Sequence, residues 1–301
     1  MNSITILGGH GKNGEREDLR LTLRRGDVLC LVGATGAGKS RFLEDIECLA
    51  QGDTPTGRRV LIDGRAPDRR RYAGGGGKLV AQLSQNMNFV MDLTVEEFVR
   101  LHAESREIPV REGIAEEILA CANRLAGEKL SLDTPLTRLS GGQSRSLMIA
   151  DTALLSPSPV VLIDEIENAG VDRGRALELL VRADKIVLIS THDPCLALRG
   201  RRRICVSGGA VTRVLETSAR EREAAALLAR MDARMLSLRE ILRRGGTLDF
   251  DMEAFFDRKA ADCEEAFVYR DDTGQHGQAT GFYRTHLLPA EGKIRGKLCR
   301  V

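Results

Sequence analysis

The 301 residues predict an α/β fold built on a largely parallel sheet, and three observations carry that expectation. The apolar run Val28-Leu29-Cys30-Leu31-Val32 leads directly into Gly33-Ala34-Thr35-Gly36-Ala37-Gly38-Lys39-Ser40, and a helical pattern then runs from Arg41 to Leu49. Further apolar runs at 79–83, 160–163 and 186–189 end in polar residues and are separated by helical patterns. A long helical stretch from Leu93 to Arg138 is inserted between two of them. Strands that carry their polar residues at one end place a site along that edge of the sheet.

In chain order, Ile4 to Leu7 reads as a short strand, and Leu19, Leu21 and Leu23 alternate with Arg20 and Thr22 as a half-exposed second strand should. Between them lies a loop, residues 8–14, in which His10 is either a solvated imidazole or a stacking partner for an aromatic ligand. The stretch 33–40 fits G-x-x-x-x-G-K-[ST] in its proper setting of strand, Gly-rich turn and helix start. Chance would produce that pattern in roughly 1% of chains of this composition. Its glycines let successive N–H groups converge on one anion, and the helix opening near Lys39 adds its positive end. Gly33, Ala34, Thr35, Gly36, Ala37, Gly38, Lys39, Ser40 and the following Arg41 are therefore the candidate phosphate-binding residues, with Lys39 on the terminal phosphates and Ser40 on magnesium.

Residues 51–57 are turn chemistry, and Arg59 to Gly64 is a strand ending in a turn. Arg69-Arg70-Arg71 and Gly74 to Gly77 read as a charged connector; no interleaved aromatics beyond Tyr72 make it a nucleic-acid platform, so no specific nucleic acid is expected. The strand at 79–83 delivers Ser84-Gln85. Thr94 caps a helix with Glu97 three residues on, and Ile114, Ile118, Leu119 and Leu125 repeat at helical spacing. Ser140-Gly141-Gly142-Gln143 then opens a helix through Leu154. The run Val160 to Ile163 stops at two acids: Asp164 is suited to magnesium, and Glu165 to orienting or deprotonating water. After a helix from Arg173 to Arg182, the strand from Ile186 ends at Ser190-Thr191-His192, where the imidazole can meet a terminal phosphate.

Beyond Thr217, Ser218 and Glu221 form a capping box, and Gly245-Gly246 stops a helix of about 27 residues. A second helix is expected from Met252 to Phe267 and a hairpin about Asp271-Asp272-Thr273-Gly274. Seven cysteines without a C-x-x-C pair favour a reducing cytosol over a disulfide framework. A net charge of +2 gives no bulk attraction to anionic surfaces, and no apolar run reaches the ~18 residues of a membrane span.

Together these motifs resemble the nucleotide-binding domain of the ATP-binding cassette (ABC) family, over roughly residues 3–215. The likeness rests on the P-loop, on Gln85 ahead of Leu93-Thr94-Val95, on Leu139 to Gln143 (the family signature), on Asp164-Glu165 and on His192, all in register. It implies a P-loop NTPase with a RecA-like sheet core, an antiparallel β part and a helical subdomain at about 86–139, here followed by an α+β extension at 216–301. It also implies ATP and Mg2+ as ligands, Gln85 as a contact to magnesium and the attacking water, and His10 where an adenine-stacking aromatic would sit. Ser140, Gly141, Gly142 and Gln143 would face the nucleotide of a partner subunit, so a homodimer or a heterodimer with a related cassette is expected. The family's role is most often as the ATPase subunit of a transporter, cytoplasmic and held at the inner face of the membrane by a separate permease. A soluble ATPase remodelling a protein client, as in cofactor or metalloenzyme assembly, is the alternative. Residues 166–172 depart from the family pattern, with Asp172 arriving one residue late.

Overall fold

The structure, a computed structural model, describes residues 1–68, 78–84, 89–109, 111–165, 171–257, 268–270 and 276–278. It divides into two compact units, Met1–Ala229 and Arg230–Val301.

The first unit carries two sheets. One is antiparallel and three-stranded, in the order β2-β1-β4, formed by β1 (Ser3–Leu7), β2 (Arg20–Arg24) and β4 (Arg59–Ile62). The expected alternation holds in β2, where Leu21 and Leu23 are buried while Arg20 and Arg24 face solvent. The other sheet has six strands in the order β5-β6-β7-β3-β8-β9. Its members are β3 (Val28–Val32), β5 (Val80–Leu83), β6 (Val160–Asp164), β7 (Ile186–Ser190), β8 (Arg202–Ser207) and β9 (Ala210–Glu216). The pairings from β5 to β8 are parallel, and β9 closes the edge antiparallel to β8. Both faces of a parallel sheet are covered, so its strands need unbroken apolar runs. β6 and β7 meet that need, with Val160 to Ile163 and Ile186 to Ser190 all buried.

Helix α1 (Lys39–Glu47) leaves the P-loop with Phe42, Leu43 and Ile46 buried against residues of both sheets. The inserted helical part comprises α2 (Val95–Ser105) and α3 (Ile114–Leu125), joined to α4 (Gly141–Leu154) in one core with Val99, Ile118, Leu136 and Leu147. Thr94 caps α2 in a capping box with Glu97, as the sequence indicates. α5 (Arg173–Arg182) follows, capped by the Asp172 side chain, and then the short α6 (Pro194–Ala197).

Helix α7 (Ala219–Arg243) begins with the Ser218–Glu221 box: Glu221 N donates to Ser218 Oγ at 3.2 Å and Ser218 N to Glu221 Oε2 at 2.8 Å. The second unit contains α8 (Met252–Asp257) and an antiparallel pair, β10 (Val268–Arg270) with β11 (His276–Gln278). Those strands flank the position of the expected hairpin, whose turn residues lie outside the described residues, as do 258–267 of the expected second helix. Among the described residues no helix is long and apolar enough to cross a membrane, and Cys30, Cys48, Cys121, Cys195 and Cys205 are thiols rather than disulfides.

Candidate functional site

Strand order decides which side chains meet. β6, β7 and β3 are neighbours in parallel register, so the residues just past their C-terminal ends converge on one edge. From β3 comes the P-loop, from β6 the Asp164-Glu165 pair, and from β7 Thr191 and His192. Two backbone bonds lock these ends together: Glu165 N to Ser190 O and Thr191 N to Leu31 O, both 3.1 Å.

The P-loop is a close-fitting turn. At Gly38, φ is 108°, and a Cβ there would lie 2.8 Å from Gly209 Cα, so only glycine lets the turn between β8 and β9 back the loop. Ala37 O accepts from Gly209 N at 2.8 Å, which fixes that contact.

Lys39 is almost fully buried, and its ammonium donates to Gly33 O at 2.9 Å, to Ala34 O at 3.2 Å and to His192 Nε2 at 3.0 Å. Because an ammonium only donates, His192 Nε2 accepts and the ring carries its proton on Nδ1. Glu165 Oε1 stands 3.5 Å from the same nitrogen. Ser40 Oγ donates to Asp164 Oδ2 at 3.3 Å, and Asp164 Oδ1 is buried with no hydrogen-bond partner among the described residues. A hydroxyl and a carboxylate, the latter with an unspent oxygen, are the hard oxygen donors that a divalent cation such as magnesium takes, so the residues fit that metal. Glu165 has φ of 50°, a left-handed conformation that a glutamate adopts only where its surroundings impose it.

Other predicted residues lie elsewhere. Arg41 pairs with Glu44 at 2.9 Å on the exposed side of α1. Ser140 caps α4: its Oγ accepts from Gln143 N at 3.3 Å, and Gln143 Oε1 accepts from Ser140 N at 2.9 Å. Gln143 Nε2 also donates to Lys129 O at 3.2 Å, while Gly141 and Gly142 form the first turn of the helix. His10 is exposed; its N donates to Thr56 O at 2.8 Å and its Nδ1 lies 3.3 Å from Gly11 O. Gln85 and residues 166–170 lie outside the described residues. Asp172 accepts from Arg175 N at 3.0 Å as a helix cap.

Sequence reasoning missed Lys12, whose Nζ donates to Gly36 O at 3.0 Å, a second cation on the P-loop. It also missed Arg58, wholly buried beside α1. Only the placement of a lysine among the glycines of loop 8–14 hinted at the first, and nothing local signalled the second.

Three comparisons with known proteins bear on this geometry. The sequence model described as ABC transporter matches residues 16–168. An uncharacterized ABC transporter ATP-binding protein of Methanocaldococcus jannaschii is 51% identical over 246 residues, covering 81% of this chain and 94% of that protein. The macrolide export ATP-binding/permease protein MacB of Bradyrhizobium diazoefficiens is 31% identical over 231 residues, and the alignment covers 74% of this chain but only 34% of MacB. A dimeric ATP-binding cassette solved in a post-hydrolysis state with ADP and Pi shares the fold, with TM-score 0.53 and 24% identity over 72% of this chain and 99% of its own. The chain belongs to the ABC transporter family.

Proposed function

We propose that Mg-ATP is bound over residues 33–40 and hydrolysed by Glu165 and His192, with the chain acting as the ATP-driven subunit of a transporter. The observation that carries this reading is the convergence of Lys39, Ser40, Asp164, Glu165 and His192 at the ends of three adjacent strands. In the mechanism, the P-loop N–H groups and the N-terminus of α1 receive the phosphates. Lys39 exchanges its carbonyl partners for β- and γ-phosphate oxygens. Magnesium held by Ser40 and Asp164, with Gln85 as a further ligand, would neutralise charge on the departing phosphates. Glu165 accepts a proton from the attacking water, and His192, released from Lys39, turns its imidazole to the γ-phosphate and helps to position it. His10 stacks on the base, and Ser140 to Gln143 of a second cassette complete the site in an ATP-bound dimer.

The domain division follows the same reading: a cassette over 1–215, its helical subdomain at about 86–139, and an extension over 216–301. The permease would dock on the helical part, where Val90 is 92% exposed and Met91 and Leu101 stand partly clear of the surface. That partner would hold the chain at the cytoplasmic face of the membrane.

The test uses Glu165→Gln, which should retain ATP binding, lose turnover by about a hundredfold or more and persist as a dimer on a sizing column with ATP. Captured from detergent-solubilised cells, this form should bring down a polytopic membrane protein. A soluble client alone, with all the ATPase in the soluble fraction, would replace transport by protein remodelling. Turnover of Glu165→Gln at the unmodified rate would remove Glu165 from the mechanism.

A further inference from the structure

Arg58, just ahead of β4, is completely buried, and its guanidinium uses its donors in several directions. Nε donates to Glu17 Oε2 at 2.8 Å and Nη2 to Glu17 Oε1 at 2.9 Å, a two-pronged fork. Nη1 donates to Asp45 Oδ2 at 2.9 Å, Nη2 also reaches Gly209 O at 2.7 Å, and the group lies 4.9 Å over the Phe42 ring. Burial works against the charge, but the bonds to Glu17 and then Asp45 outweigh it and raise the arginine pKa above its ordinary value.

Each partner of Arg58 leads to a different wall of the nucleotide site. Asp45 and Phe42 stand on α1, whose first residue is Lys39. Gly209 backs the P-loop through its bond to Ala37 O and its contact with Gly38. Glu17 accepts from Gly9 N at 3.2 Å and from Val211 N, so it anchors the loop of residues 8–12. That loop is fixed further by His10 N to Thr56 O and by Lys12 N to Gly208 O at 2.7 Å, and Lys12 Nζ reaches Gly36 O. A Cβ at Gly9 would stand 1.9 Å from Thr56 O, so loop and neighbour are in direct backbone contact. The hydrolytic residues fix the γ end of a bound nucleotide at the β6 and β7 side. The α-phosphate, ribose and base must then leave the cradle elsewhere, and loop 8–12 is the segment bordering the tip of the P-loop.

A buried ion pair adds little net stability compared with an apolar replacement, whereas a forked guanidinium fixes its partners in direction as well as distance. We propose that Arg58 is a positioning residue that holds loop 8–12 in register with the P-loop, and so sets how much the base and ribose add to binding beyond the triphosphate. The proposal rests on residues 33–40 being the phosphate cradle.

Its test compares the full chain and its variants for dissociation constants of ATP and of inorganic triphosphate. In Arg58→Lys, which keeps the charge but not the fork, the preference for ATP over triphosphate should fall about tenfold while triphosphate affinity stays within about threefold. Glu17→Gln, which keeps the shape of the loop anchor and weakens the fork, should act in the same direction and serves if Arg58→Lys does not fold. The ratio is independent of the fraction of active protein, so a merely structural role lowers stability and leaves it unchanged. A ratio within about twofold of the unmodified protein in the folded variants overturns the proposal. Lys39→Ala is the control: if it leaves triphosphate binding unaltered, the cradle reading fails instead.

Discussion

Replacing Lys39 by methionine keeps the aliphatic stem in its buried slot and removes only the ammonium. That ammonium is engaged with Gly33 O, Ala34 O and His192 Nε2, at 2.9, 3.2 and 3.0 Å. An ammonium has three N–H groups, so arriving phosphates gain exchanged bonds and no new donors. Two charge-assisted bonds to phosphate would be worth about 3–6 kcal/mol in isolation, and surrendering the existing bonds reduces the net to about 2–3 kcal/mol. The dissociation constant for ATP should therefore rise by about 30- to 150-fold in Lys39→Met. The same change strips donors from two P-loop carbonyls, so the nucleotide-free variant should melt a few degrees lower, about 2–4 °C for each kcal/mol lost. Displacement of a fluorescent nucleotide measures the first effect and differential scanning fluorimetry the second. A change in affinity below about threefold would place ATP elsewhere, and a loss beyond about a thousandfold would mean that the resting bonds do not compete with phosphate.

Two further predictions concern titration and reactivity. Burial, opposed by the bond to Gly200 and the charge of Arg203, raises the Cys30 thiol to about 11, so it should resist alkylation while exposed Cys48 reacts; mass mapping after a brief iodoacetamide pulse checks this, and early labelling of Cys30 would refute it. Arg203, followed by the Ser218 cap, lowers Glu221 from its ordinary 4.5 to about 2. A depressed carboxylate stabilises the fold fully above 4.5 and loses that contribution as pH falls through its folded value. Glu221→Gln should thus lower the melting temperature by a constant amount at neutral pH, with a gap that narrows as pH drops below 4.5; a gap that widened in acid would reverse the assignment.

Local signals carried far into this fold. Thr94 with Glu97 and Ser218 with Glu221 mark helix starts because capping is a contract among four consecutive residues. The runs at β6 and β7 are legible because both faces of the strand need apolar cover, and their polar ends mark the candidate site. The Arg58 junction is illegible for the opposite reason. Its partners are 41, 13 and 151 residues away, and Asp45 occupies a buried position on a helix where periodicity alone calls for an apolar side chain. Periodicity reports which way a side chain faces, and only the closed fold reports what waits for it there. Ser140 shows a subtler gap: its spacing in the signature is plain, yet the sequence does not say that the hydroxyl is already occupied as the cap of its own helix.

Position 165 has a consequence for how the protein tolerates change. With φ at 50°, its backbone would be relieved of about 1 kcal/mol by glycine, and asparagine would also sit more comfortably there. The fold alone therefore prefers residues that have no carboxylate to offer the site. A library of variants selected only for heat resistance would drift at 165 toward Gly or Asn and grow sturdier as it fell silent. Under the proposed mechanism, one selected for turnover would keep Glu165 and seek its robustness elsewhere in the chain.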